Sequence, residues 1–433
     1  MKPFIMFALV LNACGGSSDG DSGAPGETGT SATEGVLPEL PNQAGVAYVA
    51  HYLNNELIWT RTDGPAAVSG GSMALAGSTH DVDLDAVNDR LVVVHDVVGQ
   101  VDIYQLERPK NASSAVTEPV LKASIRPDLT PLFARVDAYH QRLYLFTIDG
   151  NTGESMMEIY DDSAEEPSFL GSFAVPTSAA WDIDPVRQLL FIYDPADGGV
   201  HVHDLFGDSP KELDGSPIPF NEWYPEENSW AFSVRNLRVE PWTGRVFAGR
   251  PQGTLSELMA FSYDGVVPGP QTAYSQLADM TSVTKLEDAF DVSVSHEERP
   301  YLLESHGAVA DVEDELLFVS GRAWNGTAST DLVLSMNSDL EDLGACPDQD
   351  DGWCWLRSYS SGEPGSYLMA EGANCVDQTN NVLVTTTVDL EDGEGAGQLM
   401  LFSYDSAGKM SPMLKSSGSN PVASVYPVDA VCH

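Results

Sequence analysis

Residues 82–107, "VDLDAVNDRLVVVHDVVGQVDIYQLE", place a short apolar strand ending in Asp85 before a turn, a second apolar run, a polar loop and a third run ending near Tyr104. The apolar residues alternate or run in short blocks, without the 3.6-residue period of a helix. The same plan recurs in residues 134–162, "ARVDAYHQRLYLFTIDGNTGESMMEIYDD", and 180–205, "AWDIDPVRQLLFIYDPADGGVHVHDL". Residues 237–265, 308–339 and 374–406 supply three more copies. The acidic residue that ends each first strand is Asp85, Asp137, Asp184, Glu240, Asp311 or Asp377, at spacings of about 47 to 71 residues. That is the length of a β-propeller blade with loop insertions, and the pattern excludes a helical solenoid. A carboxylate just before a turn accepts backbone N–H bonds two residues on, so these six positions are read as turn-forming.

A partial copy stands at each end. Residues 45–64, "GVAYVAHYLNNELIWTRTDG", supply a second and third strand without the first, and "VYPVDAV" near the C-terminus supplies a first strand with Asp429 at the acidic position. Joined, they make a seventh unit. The expected fold is therefore all-β: a seven-bladed β-propeller whose C-terminal strand completes the first blade and removes the open sheet edges.

The motif "VD.D....RL.V........V.VYD" resembles the YVTN/lactonase-like group of seven-bladed propellers, related in architecture to WD40 rings, over about residues 44–433. The resemblance implies the fold. It transfers no active site, because that group mixes lactonases, lyases, surface-binding proteins and scaffolds. The N-terminus, "MKPFIMFALVLNACGG", resembles a bacterial lipoprotein signal, with Leu11, Ala13 and Cys14 on the lipobox positions. By that resemblance residues 1–13 are a signal peptide and Cys14 is lipidated. Residues 14–43, acidic and rich in Gly and Ser, have too little apolar content to fold and read as a flexible tether to a body at 44–433.

The remaining cysteines, Cys346, Cys354, Cys375 and Cys432, are even in number, and three disulfide connectivities are open to them. Cys346 and Cys354 flank the short loop "CPDQDDGWC" and are expected to pair locally, leaving Cys375 with Cys432. Hydrophobic residues make up 42% of the chain, enough for a substantial core. With 65 Asp and Glu against 21 Lys and Arg, the net charge of −44 excludes nucleic acid as a partner.

Propellers bind ligands at the mouth of the central channel. About five residues before the acidic positions, that level carries His80, Arg235 and His306, a candidate catalytic set able to bind a carboxylate or activate water. Deeper, Asp83, Arg135, Asp182 and Arg238 alternate in sign on successive strands and suggest a structural ring of ion pairs, with Trp181 as a plug. His201 and His203 share a strand face at a spacing that could ligate a metal, but His203 takes the place of Tyr104, Tyr160, Tyr263 and Tyr404 and is read as a packing position. No cofactor motif occurs and no metal ligand set is assigned. Ca²⁺ is the candidate ion for the acidic loops 347–352 and 389–397, neither of which has EF-hand spacing.

The expected function is a monomeric binding or scaffold module for an envelope protein or small ligand, lipid-anchored to the bacterial envelope, at the outer membrane. The insertion 270–305 offers a docking segment. The alternatives are a lactonase-like hydrolase or lyase using His80, Arg235 and His306, and a Ca²⁺-dependent adhesin.

Overall fold

The computed structural model divides the chain into Met1–Gly35 and Val36–His433. It describes residues 43–433 except 52–54, 64–69, 112–113, 165, 178–179, 207–209, 214–215, 220–235, 243, 253–254, 265–266, 269–272, 277–300, 312–313, 315, 325–328, 338–354, 361–365, 370–373, 390–397, 407, 409 and 416–426. Cys14, Arg235, Cys346 and Cys354 lie outside the described residues, as do the signal, nearly all of the tether, loop 347–352 and most of loop 389–397 and insertion 270–305.

The described residues form no α-helix, and their strands make seven antiparallel sheets in a propeller arrangement. The second sheet shows the plan. Asp81–Asp85, Arg90–His95, Gln100–Gln105 and Val120–Ile125 follow one another in space as in sequence, so every link is a local hairpin. Each hairpin turn has a chemical cause. Asp85 Oδ1 accepts from the amides of Val87 and Asn88 at 3.1 and 2.9 Å, and Asp137 and Asp184 bind the amides two and three residues on in the same way. Four residues after the acid, the chain enters the left-handed region, at Asp89, Gln141, Gln188, Gly244 and Asn381. The carbonyls of Asp89, Gln141, Gln188 and Asn381 then accept from the ends of the third strands, through Leu106, Asp162, Leu205 and Tyr404. One carboxylate thus organises a turn and, through it, the strand beyond.

Sheets pack face to face on apolar residues. Val92, Val94 and Ile103 of the second sheet meet Ala134, Leu143 and Leu145 of the third. Tyr144, Phe146 and Met157 of the third meet Trp181, Ile183 and Ile192 of the fourth. Phe191 and Val200 of the fourth meet Leu237 and Val246 of the fifth. The strand Tyr301–Asp311 of the sixth sheet lies against Arg245–Gln252 of the fifth. Leu316 and Phe318 of the sixth meet Leu383 and Phe402 of the seventh. Polar staples cross the same seams: Arg90 reaches both the carboxylate and the carbonyl of Asp162, and Arg187 reaches the carbonyl of Pro241.

The first sheet joins the two ends of the chain. Pro427–Cys432 pairs antiparallel with Val46–His51, and Val46 and His433 exchange backbone bonds at 2.9 and 2.7 Å. Ala47, Val49 and Ala430 pack on Val382 and Val384 of the seventh sheet, while Tyr48 and Leu57 pack on Val82 and Leu91 of the second. Cys375 and Cys432 form the expected disulfide, with Cα atoms 5.4 Å apart, across the same seam. Gln43 adds a second clasp: its side chain donates to the carbonyls of Val376 and Cys432 and accepts from the amide of Gln378.

The disulfide spans 57 residues, a loop whose closure entropy in the unfolded chain is worth about 4 kcal/mol. Cys432→Ser is expected to lower the unfolding free energy by up to that amount in guanidinium titrations under oxidising conditions. A loss below about 1 kcal/mol would show that strand pairing alone holds the closing sheet.

Candidate functional site

The innermost strand of each sheet has a partner on one side only, so its outer amides need acceptors from elsewhere. In the second and fourth sheets, acidic side chains supply them to the next sheet. Asp81 Oδ2 accepts from the amide of Ala134 at 2.7 Å, Asp83 Oδ2 from Val136 at 2.6 Å, and Asp182 Oδ2 from Val239 at 2.8 Å. The carboxylates are thereby fixed around the channel, and Arg135 lies among them. Its Nη1 donates to Asp81 and its Nε to Asp182, each at 3.1 Å.

A cavity of about 390 Å³ occupies this part of the channel. Residues of six innermost strands or their approaches line it, including Asp83, Arg135, Asp182, Arg238, Asn374 and Val431. Pro185, Trp242 and Gln378 from the acidic turns also line it, which places it toward the end where the innermost strands finish. Glu240 lies on the wall, with Oε1 accepting from the Trp242 amide. Arg135 and Asp182 are brought into direct contact, and Asp83 shares the same cluster. Among the described residues no carboxylate pairs with Arg238, so its guanidinium faces the cavity wall without the partner that Arg135 has.

Burial is the main influence on Asp83, pushing its carboxyl up to about 7; the Arg135 charge and the amides of Val136 and Leu84 pull it part of the way back, and Asp81 adds to the rise. A carboxyl that exchanges its proton near neutrality inside a polar cavity is suited to acid–base work or to meeting an anionic ligand as a neutral donor.

The other expected residues are placed differently. His80 is absent from the cavity lining; its ring stands edge-on to Phe133, with centroids 4.8 Å apart, and its amide donates to Val94. His306 belongs to the strand Tyr301–Asp311, but its side chain, like all of Arg235, lies outside the described residues. The convergence of these three groups therefore has no described geometry. Trp181 does not plug the cavity. The pleat turns it toward Phe146, whose ring stacks at 6.2 Å, and Arg135 sits over the indole at 5.2 Å. His203 packs beside Phe173, whereas His201 bonds to carboxylates on both sides. Asn374 escaped the sequence reading. Of the expected ion-pair ring, Arg135 and Asp182 pair, with Asp81 as the second partner of Arg135, whereas Arg238 has no carboxylate partner among the described residues.

The raised Asp83 has a sign that can be measured. Below about pH 4 the carboxyl is protonated in both folded and unfolded chains; between about 4 and 7 the folded state holds the proton more tightly, so its stabilising contribution fades as pH rises through that window. Asp83→Asn keeps an acceptor for Val136 and removes the titration. The stability difference between wild type and variant, from urea midpoints at pH 4 to 8, is expected to change by up to about 4 kcal/mol across the window and to level off above it. A pH-independent difference would place Asp83 in the ordinary carboxylate range.

No family model matches the chain, and no curated protein matches it in sequence. Solved structures do. A periplasmic gluconolactonase from Pseudomonas aeruginosa superposes with a TM-score of 0.56 at 10% identity, covering 89% of this chain and 98% of that one. A candidate 6-phosphogluconolactonase from Bacteroides uniformis gives 0.54 at 9% identity, covering 90% and 99%. A protein of unknown function from Desulfotomaculum acetoxidans gives 0.55 at 13%, covering 90% and 98%. At these identities the likeness establishes a shared propeller fold.

Proposed function

We propose that the chain is a seven-bladed propeller, each sheet one blade, that binds a small hydroxylated organic acid or its lactone in the axial cavity. The observation that carries this reading is the cavity itself, which presents Arg238, with no carboxylate partner among the described residues, beside Arg135, Asp83 and Asn374. A guanidinium on the cavity wall supplies a carboxylate or phosphate with paired donors, and the acidic and amide groups offer acceptors and donors to hydroxyls. The ligand need not be strongly anionic, because the −44 charge of the whole chain opposes polyanions at long range.

A second reading, hydrolysis of such a lactone, is favoured by one feature of the cavity: burial pushes the Asp83 carboxyl up to about 7 beside Arg135. The fold shared with a periplasmic gluconolactonase and a candidate 6-phosphogluconolactonase is consistent with either reading and decides neither. The body is further proposed to be a monomer, exported and anchored through Cys14 by the tether, with the cavity on the envelope side of the inner membrane.

Two measurements test these readings. Gluconate, 6-phosphogluconate and glucono-δ-lactone are titrated into the full chain while thermal unfolding is followed. A true ligand at a hundredfold excess over its Kd stabilises by about 2.7 kcal/mol, and Arg238→Ala is expected to abolish the shift. Absence of any shift, or a shift indifferent to Arg238→Ala, overturns cavity binding. Proton release from the lactone, followed in parallel, separates binder from hydrolase: catalysis lost in Asp83→Asn with binding retained supports the second reading. For the anchor, Cys14→Ser is expected to move the protein from the membrane fraction to the soluble fraction and to remove palmitate labelling.

A further inference from the structure

The second hairpin of the fourth sheet, Leu189–Asp194 and Gly199–Asp204 joined by "PADG", carries a cluster that the axial cavity does not use. Two turn carboxylates are pinned by one oxygen each: Asp194 Oδ1 accepts from Ala196 at 2.7 Å and Asp197 Oδ1 from Gly199 at 2.9 Å. The register Ile192↔His201 brings the His201 imidazole up beside them. Its Nε2 stands 2.9 Å from Asp197 Oδ2, and one ligand atom each of Asp194, Asp197 and His201 lie within 4.8 Å of one another.

The other face of the ring is equally specific. His201 Nδ1 stands 2.6 Å from Glu212 Oε1, and that same oxygen accepts the Ser216 hydroxyl at 2.7 Å. Without an ion both ring nitrogens donate to carboxylates, Nδ1 to Glu212 and Nε2 to Asp197; a metal entering beside Asp197 and Asp194 would displace the Nε2 proton, while Glu212 keeps the Nδ1 proton and holds the ring's direction. Ligand atoms about 2.0–2.1 Å from one tetrahedral ion stand roughly 3.3–3.4 Å apart. Asp197 and His201, at 2.9 Å, would open by a few tenths of an ångström, and Asp194, within 4.8 Å of the other ligand atoms, would close in by up to about 1.5 Å.

The geometry points to a site for one divalent first-row transition ion, Zn²⁺ or Co²⁺ in type, with Asp194, Asp197 and His201 as ligands and Glu212 as the positioning residue. The imidazole separates this class from Ca²⁺, which takes oxygen ligands. Three protein ligands leave coordination positions to water, and the half-exposed hairpin tip gives the ion a path from solvent. The ion ties the tip of one hairpin to the strand Lys211–Glu212 through His201 and Glu212.

The test uses the full chain freed of metal by chelation and titrated with Co²⁺, whose visible d–d absorption reports ligand geometry. The expected result is one Co²⁺ per chain with a band displaced by Zn²⁺ and unaffected by Ca²⁺ at the same concentration. Asp194→Asn and Asp197→Asn are each expected to weaken binding sharply, and His201→Gln to abolish the band. Glu212→Gln should preserve the band while lowering affinity about 10- to 100-fold. Circular dichroism of each variant verifies folding; should His201→Gln misfold, the two Asp variants decide. Absence of a band, displacement by Ca²⁺, or Co²⁺ binding that survives the substitutions overturns the site and assigns the uptake to the acidic surface at large.

Discussion

The structure depends on a problem of backbone chemistry at its centre. An innermost strand is an edge strand, and an edge strand buried against its neighbour leaves amides that water cannot reach. Asp81, Asp83 and Asp182 answer it by accepting bonds from Ala134, Val136 and Val239 on the following sheet. Those bonds draw negative charge toward the axis, and Arg135 is the compensation, bonded to Asp81 and Asp182 and stacked on Trp181. The polar character of the cavity follows from the need to satisfy the strands that surround it.

The same economy appears at the turns. An acidic residue at the end of the first strand accepts the turn amides and also recruits long-range partners: Asp85 holds Arg90, which crosses to Asp162; Asp311 accepts the Tyr404 hydroxyl; Asp377 pairs with Thr62. Removing one such carboxylate loosens a turn and a seam between sheets together, so each acts as a joint rather than a local cap.

Much of the fold was legible because its determinants are short-range. Period-two apolar patterning and an Asp before a turn are visible over a handful of residues, and six imperfect copies made the repeat evident. The closing strand was legible for the same reason, since "VYPVDAV" carries the repeat's own first-strand pattern, and the Cys375–Cys432 bond lies where that closure requires. The sites were much less legible. Whether a residue beside the axis faces the cavity or a seam depends on the pleat: Trp181 turns to the third sheet while its neighbour Asp182 bonds to the fifth. His201 and Asp197 are near in sequence, but Glu212 reaches them through the pairing of His203 with Glu212, a register set by the short strand Lys211–Glu212 whose apolar pattern is too brief to announce it.

Chain closure also imposes an order in time. The strand Val46–His51 takes as its inner partner a segment that begins about 380 residues later, at Pro427. Its edge therefore waits for that partner until the last residues of the chain are free to fold. For this interval the apolar face formed by Ala47 and Val49 lacks Ala430 and Val384, while local hairpins of the intervening sheets have microseconds-scale routes to form. The ring is therefore assembled early and locked late.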